Sequence, residues 1–126
     1  MLRPLILALA LVALPAAAQD LSPSTVTLGQ FLVKVDEVEA RGAQADDPEL
    51  LEVTSLMGAV ASSYRQRLVD IAASGQAAPA CPPPPGKAVL DSDIIIPKLK
   101  ALPTDQRDRS LQNAMWEVMD ALFPCT

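Results

Sequence analysis

Two cysteines, Cys81 and Cys125, do more than any other residues to narrow what this chain can fold into. A single pair of cysteines in an exported chain is the pattern of a disulfide, and the N-terminus carries the marks of export. Arg3 supplies a positive charge, an apolar run follows from Leu5 to Leu14, Pro15 breaks it, and Ala16, Ala17 and Ala18 offer small side chains to a signal peptidase. Residues 1–18 therefore read as a cleavable signal peptide, cut between Ala18 and Gln19, with the periplasm as destination. The apolar run is too short to cross a bilayer core of ~30 Å as a helix. A Cys81–Cys125 bridge closes a loop of about 45 residues, which stabilises a fold by about 4 kcal/mol through restriction of the unfolded chain. A metal site is the poorer use of the two thiols, because it needs further ligands and the chain has no histidine.

Without the signal, a chain of about 108 residues remains, enough for one domain with a modest core that gains from a covalent staple. Fifteen acidic residues against ten basic ones give a net charge of −5, and loss of Arg3 takes it to about −6. That balance argues against nucleic acid or an anionic membrane surface as partner and favours a protein. Residues 19–26 read as a flexible mature N-terminus, and 27–126 as a single helical domain.

Helical signals run through that domain. Thr27 and Gln30 form a capping box, with Val26 and Phe31 placed as a hydrophobic staple. Leu28, Phe31, Leu32, Val35 and Val38 then repeat at helical spacing, and Gly42 ends the first helix, over about 28–41. Asp47-Pro48-Glu49 opens a second helix of about 25 residues. Its stripe is Leu50, Val53, Met57, Val60, Tyr64, Leu68 and Ile71, and Ser74-Gly75 ends it. Residues 76–90, with Pro79 and the run Pro82 to Pro85, read as a stiff proline-rich loop held by Cys81. A third helix is expected from Ser92-Asp93 to about Leu102, with Pro97 either in its first turn or breaking it. A fourth is expected from a Thr104 cap to about Phe123, with Leu111, Met115, Val118 and Leu122 on one face. No window alternates as a strand does. The expected fold is all-α, a small four-helix bundle stapled by one disulfide, with Tyr64 and Trp116 as core residues.

The residue types for catalysis are sparse. Without histidine there is no Ser-His-Asp or Cys-His arrangement and no imidazole metal ligand. The five glycines form no phosphate-binding loop. Carboxylates cluster at Asp36/Glu37/Glu39, Asp46/Asp47/Glu49, Asp91/Asp93 and Asp105/Asp108, where helix capping and solvated faces account for them better than paired acid–base work. Arg65, Arg67, Arg107 and Arg109 read as partners in surface ion pairs. No catalytic, cofactor-binding or metal-ligating residue is assigned, and the chain reads as a non-enzymatic binding protein.

One order of motifs resembles a known family. Gly58 and Tyr64 on a long helix are followed by Ala80-Cys81-Pro82-Pro83, then a short helix. After these come Pro103, Arg107 and Leu111, and finally Phe123-Pro124-Cys125. Over about residues 55–125 this is similar to the Rap/Tai family of type VI secretion immunity proteins. The resemblance implies a small periplasmic helical protein that binds and blocks an incoming cell-wall amidase, with no cofactor. The first helix and the four-proline run have no counterpart we can match, and no toxin-contacting residue is carried over. Two other classes fit the same composition: an acid-stress periplasmic chaperone of the HdeA kind, and a structural subunit of an envelope complex. Homodimerisation is left open by the sequence.

Overall fold

A computed structural model of the chain describes residues 22–84 and 91–126. The signal peptide over 1–18, its cleavage point at Ala18 and Gln19, and residues 85–90 of the proline-rich loop lie outside these. The described residues form four helices, α1 (Leu28–Ala40), α2 (Pro48–Ala73), α3 (Ser92–Lys100) and α4 (Leu111–Leu122), with a 3-10 turn at Thr104–Gln106 before α4. The fold is all-α and carries the Cys81–Cys125 staple, with the two Cα atoms 4.9 Å apart.

The ends of α1 and α2 follow from local chemistry. The Thr27 hydroxyl accepts from the Gln30 N–H, and the Gln30 side chain accepts from the Thr27 N–H, so the expected capping box is formed. Gly42 and Gly75 take φ of 60° and 77°, the left-handed conformation that glycine adopts without a Cβ clash. Each closes its helix with a pair of backbone bonds, Gly42 to Glu39 and Ala43 to Val38 at one end, Gly75 to Ala72 and Gln76 to Ile71 at the other. Asp47 caps α2 through the Glu49 and Leu50 N–H groups and also holds Arg41, while Lys34 pairs with Glu52 further along. These contacts fold α1 and α2 into an antiparallel hairpin.

Three expectations need correction. The fourth helix does not start at Thr104, which is instead the first residue of the 3-10 turn; it starts at Ser110, whose hydroxyl accepts from the Asn113 N–H. The reason is tertiary, because Ser110 faces Thr27 and the two helix starts bond to each other. Pro97 lies neither in the first turn nor at a break. It sits in the second turn of α3, which runs through it to Lys100; the helix forfeits one backbone donor there and is held by the burial of Ile95, Ile96 and Leu99. The segment expected to be a flexible N-terminus is, over its described part, a turn in which the Ser22 carbonyl accepts from Thr25 and Val26. Val26 and Pro23 are buried there against the start of α4.

The main core lies among all four helices. Leu28, Phe31 and Leu32 of α1 meet Val60 and Leu56 of α2, Ile95 and Leu99 of α3, and Leu111 and Met115 of α4. Leu56 is buried although the expected stripe passed it over. Burying such side chains is worth about 1.5–3 kcal/mol each, so the apolar stripes, not the surface ion pairs, hold the bundle. A second, smaller core forms at the far end of α2, where Tyr64 and Met119 are covered by Ala80.

Two stability tests follow. Ser110→Ala lowers stability by about 1 kcal/mol, whereas Thr104→Ala changes it by less than about 0.5 kcal/mol; urea denaturation of both variants checks which residue starts α4. The Cys81→Ser, Cys125→Ser double variant loses up to about 4 kcal/mol, and thiol titration of the native protein finds no reactive thiol.

Candidate functional site

The far end of α2 gathers the features that set this chain apart. Beyond Gly75 the chain turns back and runs as an extended strap over residues 76–84. Ala80 is buried against Tyr64, the Cys81 N–H donates to the Phe123 carbonyl at 2.8 Å, and the disulfide ties Cys81 to Cys125. Pro82 is half-buried, while Pro83 and Pro84 stand exposed. Proline fixes φ and offers no N–H, so this stretch keeps its extended shape without a hydrogen-bonded partner strand.

Beneath the strap, α2 and α4 are joined by a polar cluster. The Tyr64 hydroxyl donates to Asp120 Oδ1 at 2.7 Å, and the Arg67 guanidinium donates to both Asp120 oxygens at 3.1–3.3 Å. Arg67 also lies over two rings, 5.1 Å from the Trp116 centroid and 5.9 Å from that of Tyr64, within range of cation–π attraction. Trp116 Nε1 donates to Ser63 Oγ at 3.4 Å. Burial and the neighbouring Asp120 carboxylate push the Tyr64 phenol well above its ordinary pKa, so it stays neutral and acts as a hydrogen-bond donor. The cluster is a rigid joint between two helices, with both polar partners of Asp120 supplied.

Two concavities flank this joint. One is a small apolar hollow of about 40 Å³ lined by Ala61, Tyr64, Pro82, Pro83, Met119 and Phe123. The other is an open groove of about 350 Å³ along α2 and α4, with Arg67, Asp70, Gln112 and Trp116 in its wall. A third groove, of about 490 Å³, lies apart from them beside α3 and is lined by Glu39, Asp93, Ile96 and Lys100.

Of the residues singled out from sequence, Cys81 and Cys125 are brought together here, and Ala18 and Gln19 lie outside the described residues. Tyr64 is buried as expected, and Trp116 is half-buried at the edge of both cores. The carboxylate clusters are spread along the surface. Asp36 and Glu39 hold Lys100, Asp47 and Glu49 hold Arg41, and Asp91 caps α3. Arg109 pairs with Glu117, but Arg107 bonds the Lys100 carbonyl instead. Among the described residues, no three His, Cys, Asp or Glu residues are grouped as metal ligands, and no helix is long and apolar enough to cross a membrane.

The joint itself has no local signal in the sequence. Its trace is a Tyr64/Arg67 pair three apart on α2 and a Trp116/Asp120 pair four apart on α4, spacings that put each pair on one helix face. Comparison with protein-family models, with curated proteins and with solved structures finds no match to this chain.

The joint can be tested through Tyr64, the only tyrosine in the sequence. Its pKa is raised in the folded state above the ordinary phenol value of 10.0. The stability it contributes is therefore complete below pH 10 and declines as the pH rises beyond it, since the unfolded chain releases the proton first. Spectrophotometric titration should show tyrosinate absorbance only as the protein unfolds. Asp120→Ala, which strands the Tyr64 hydroxyl and Arg67, lowers stability by about 2 kcal/mol, and thermal denaturation measures it.

Proposed function

We propose that this protein is an exported, non-enzymatic inhibitor that binds a cell-wall amidase in the periplasm and blocks it. The observation that carries this reading is the stapled strap. The motifs similar to the Rap/Tai immunity proteins, Ala80-Cys81-Pro82-Pro83 and Phe123-Pro124-Cys125, lie side by side and fix an extended proline segment on a helical scaffold. An inhibitor of this kind works by shape. It needs no catalytic group, only a surface that enters or covers a cleft and does so without a large entropic loss on binding. Prolines held in one conformation before contact reduce that loss, and the Tyr64–Arg67–Asp120 joint keeps the platform under them rigid.

The acidic balance supports the same reading from another side. A net charge of −5 over the full chain, about −6 without Arg3, speeds encounter with a basic protein and discourages association with nucleic acid or anionic lipid. The large grooves are open and lined by side chains already engaged in ion pairs, as Arg67 and Lys100 are. This fits a protein-facing surface better than a small-molecule pocket.

Affinity capture from a periplasmic extract with the mature protein as bait tests the proposal. Recovery of a peptidoglycan amidase whose activity falls on addition of the protein is the expected result. Capture of many unrelated proteins, and only at acid pH, would overturn it in favour of a chaperone. Charged substitutions at the exposed prolines, Pro83→Asp with Pro84→Asp, are expected to weaken capture by about tenfold or more while leaving helicity and the disulfide unchanged.

A further inference from the structure

We propose that the Cys81–Cys125 disulfide is a redox-operated latch: its reduction releases the strap over residues 76–84 and uncovers the second core while the main core stays folded. Three observations carry this. First, the two cores are separate groups of residues. None of the strap residues belongs to the main core, and the strap's buried contribution is Ala80 on Tyr64 and Met119. Second, among the described residues few contacts besides the disulfide hold the strap down. Between it and the C-terminal segment there is one backbone hydrogen bond, Cys81 N–H to the Phe123 carbonyl, and a weak 3.9 Å contact from Cys125 Sγ to the Ala78 carbonyl. Third, Cys81 and Cys125 are both exposed, so a reductant reaches the bond without prior unfolding.

The chemistry balances with a dithiol as co-reactant. One of its sulfurs, as thiolate, attacks a sulfur of the Cys81–Cys125 bond and forms a mixed disulfide. Its second sulfur then displaces the protein thiolate and closes the reductant's own disulfide. Two electrons and two protons pass to the protein, leaving Cys81 and Cys125 as thiols. Once the tether is gone, segment ends held by one hydrogen bond, the buried Ala80 and the half-buried Pro82 open locally far more often than helices anchored by whole buried stripes. Opening exposes Tyr64, which is 1% exposed with the strap in place, and Met119, at 3%. Where the proposed binding surface is concerned, the inference rests on the reading given above. The exposed prolines are then presented in one fixed shape only in the oxidised protein, and binding becomes conditional on an oxidising compartment.

Hydrogen exchange read by mass spectrometry tests the latch on the mature chain without any partner, so its outcome is independent of whether an amidase is bound. The oxidised protein is compared with protein reduced by dithiothreitol and alkylated, with far-ultraviolet circular dichroism in parallel. The expected result is faster exchange, by about tenfold or more, at the Cys81 amide, whose N–H bonds the C-terminal segment, and in peptides covering 119–126. Amides at the starts of α1 and α4 stay protected, exchanging faster only in step with the lost global stability, and helicity is retained. Unchanged exchange at the Cys81 amide and over 119–126 would overturn the proposal, because the strap would then hold itself. Loss of protection throughout the chain would overturn it equally, because the disulfide would then be a support of the whole fold.

Discussion

The fold depends on a reciprocal clamp between two helix starts. The first amide groups of any helix have no partner inside it, and here two such starts face each other. Leu28 N–H donates to the Arg109 carbonyl and Gly29 N–H to that of Arg107, while Leu111 N–H donates to Val26 and Gln112 N–H to Pro23. The third amide of each helix goes to its own cap, Gln30 to Thr27 and Asn113 to Ser110. Six otherwise unpaired donors are thus satisfied across a single antiparallel pairing of Thr27 with Ser110. This lets Leu28 and Leu111, the first residue of each helix, be fully buried. It also keeps the positive ends of two helix dipoles beside backbone carbonyls instead of beside each other alone. Gly29 belongs to this clamp, because a Cβ there would come within 3.3 Å of the Arg107 carbonyl oxygen.

At the other end of the molecule the solution differs. α2 is 26 residues long and α1 only 13, so the last turns of α2 extend beyond what α1 covers. The strap, the end of α4 and the polar joint cover this part of α2 around Tyr64 and Leu68, while Val69, Ala72 and Ala73 stay exposed. An aspartate shared by a tyrosine and an arginine, with a tryptophan beneath the guanidinium, fixes α2 to α4 through directional contacts. Directional bonds of this kind set orientation more than they add stability. The apolar contact is left to Ala80, Met119 and Phe123. The main core is assembled by burial, whereas this end is assembled by geometry and a covalent tie.

Features with a local cause could be read directly from the residues. The Thr27–Gln30 capping box, the left-handed Gly42 and Gly75, the Asp47-Pro48 start of α2 and the helical stripes each follow from neighbours within a few positions. The cysteine pairing was legible because only two were present. What escaped depends on partners far along the chain. Thr104 and Ser110 are both good caps by composition, and only the pairing with Thr27 selects Ser110. Pro97 is carried by the burial of Ile95, Ile96 and Leu99 against other helices, which no local rule weighs. Leu56 and Met119 are buried because neighbouring elements widen the covered face of their helices. The joint at Asp120 was invisible because Arg67 and Asp120 lie on different helices and each reads alone as a solvated charge.

The clamp also has a bearing on the order in which this protein can assemble. It joins the turn before α1 to the turn before α4, so α2 and α3 both lie on the intervening stretch of chain, and the disulfide likewise waits for Cys125. Closing so long a loop gains nothing until its two ends meet. The α1–α2 hairpin can form early from neighbouring residues, but its Leu28 and Phe31 face water until α4 arrives. A chain delivered from its N-terminus onward therefore spends that interval with half a core exposed, and completion comes as one late, cooperative event.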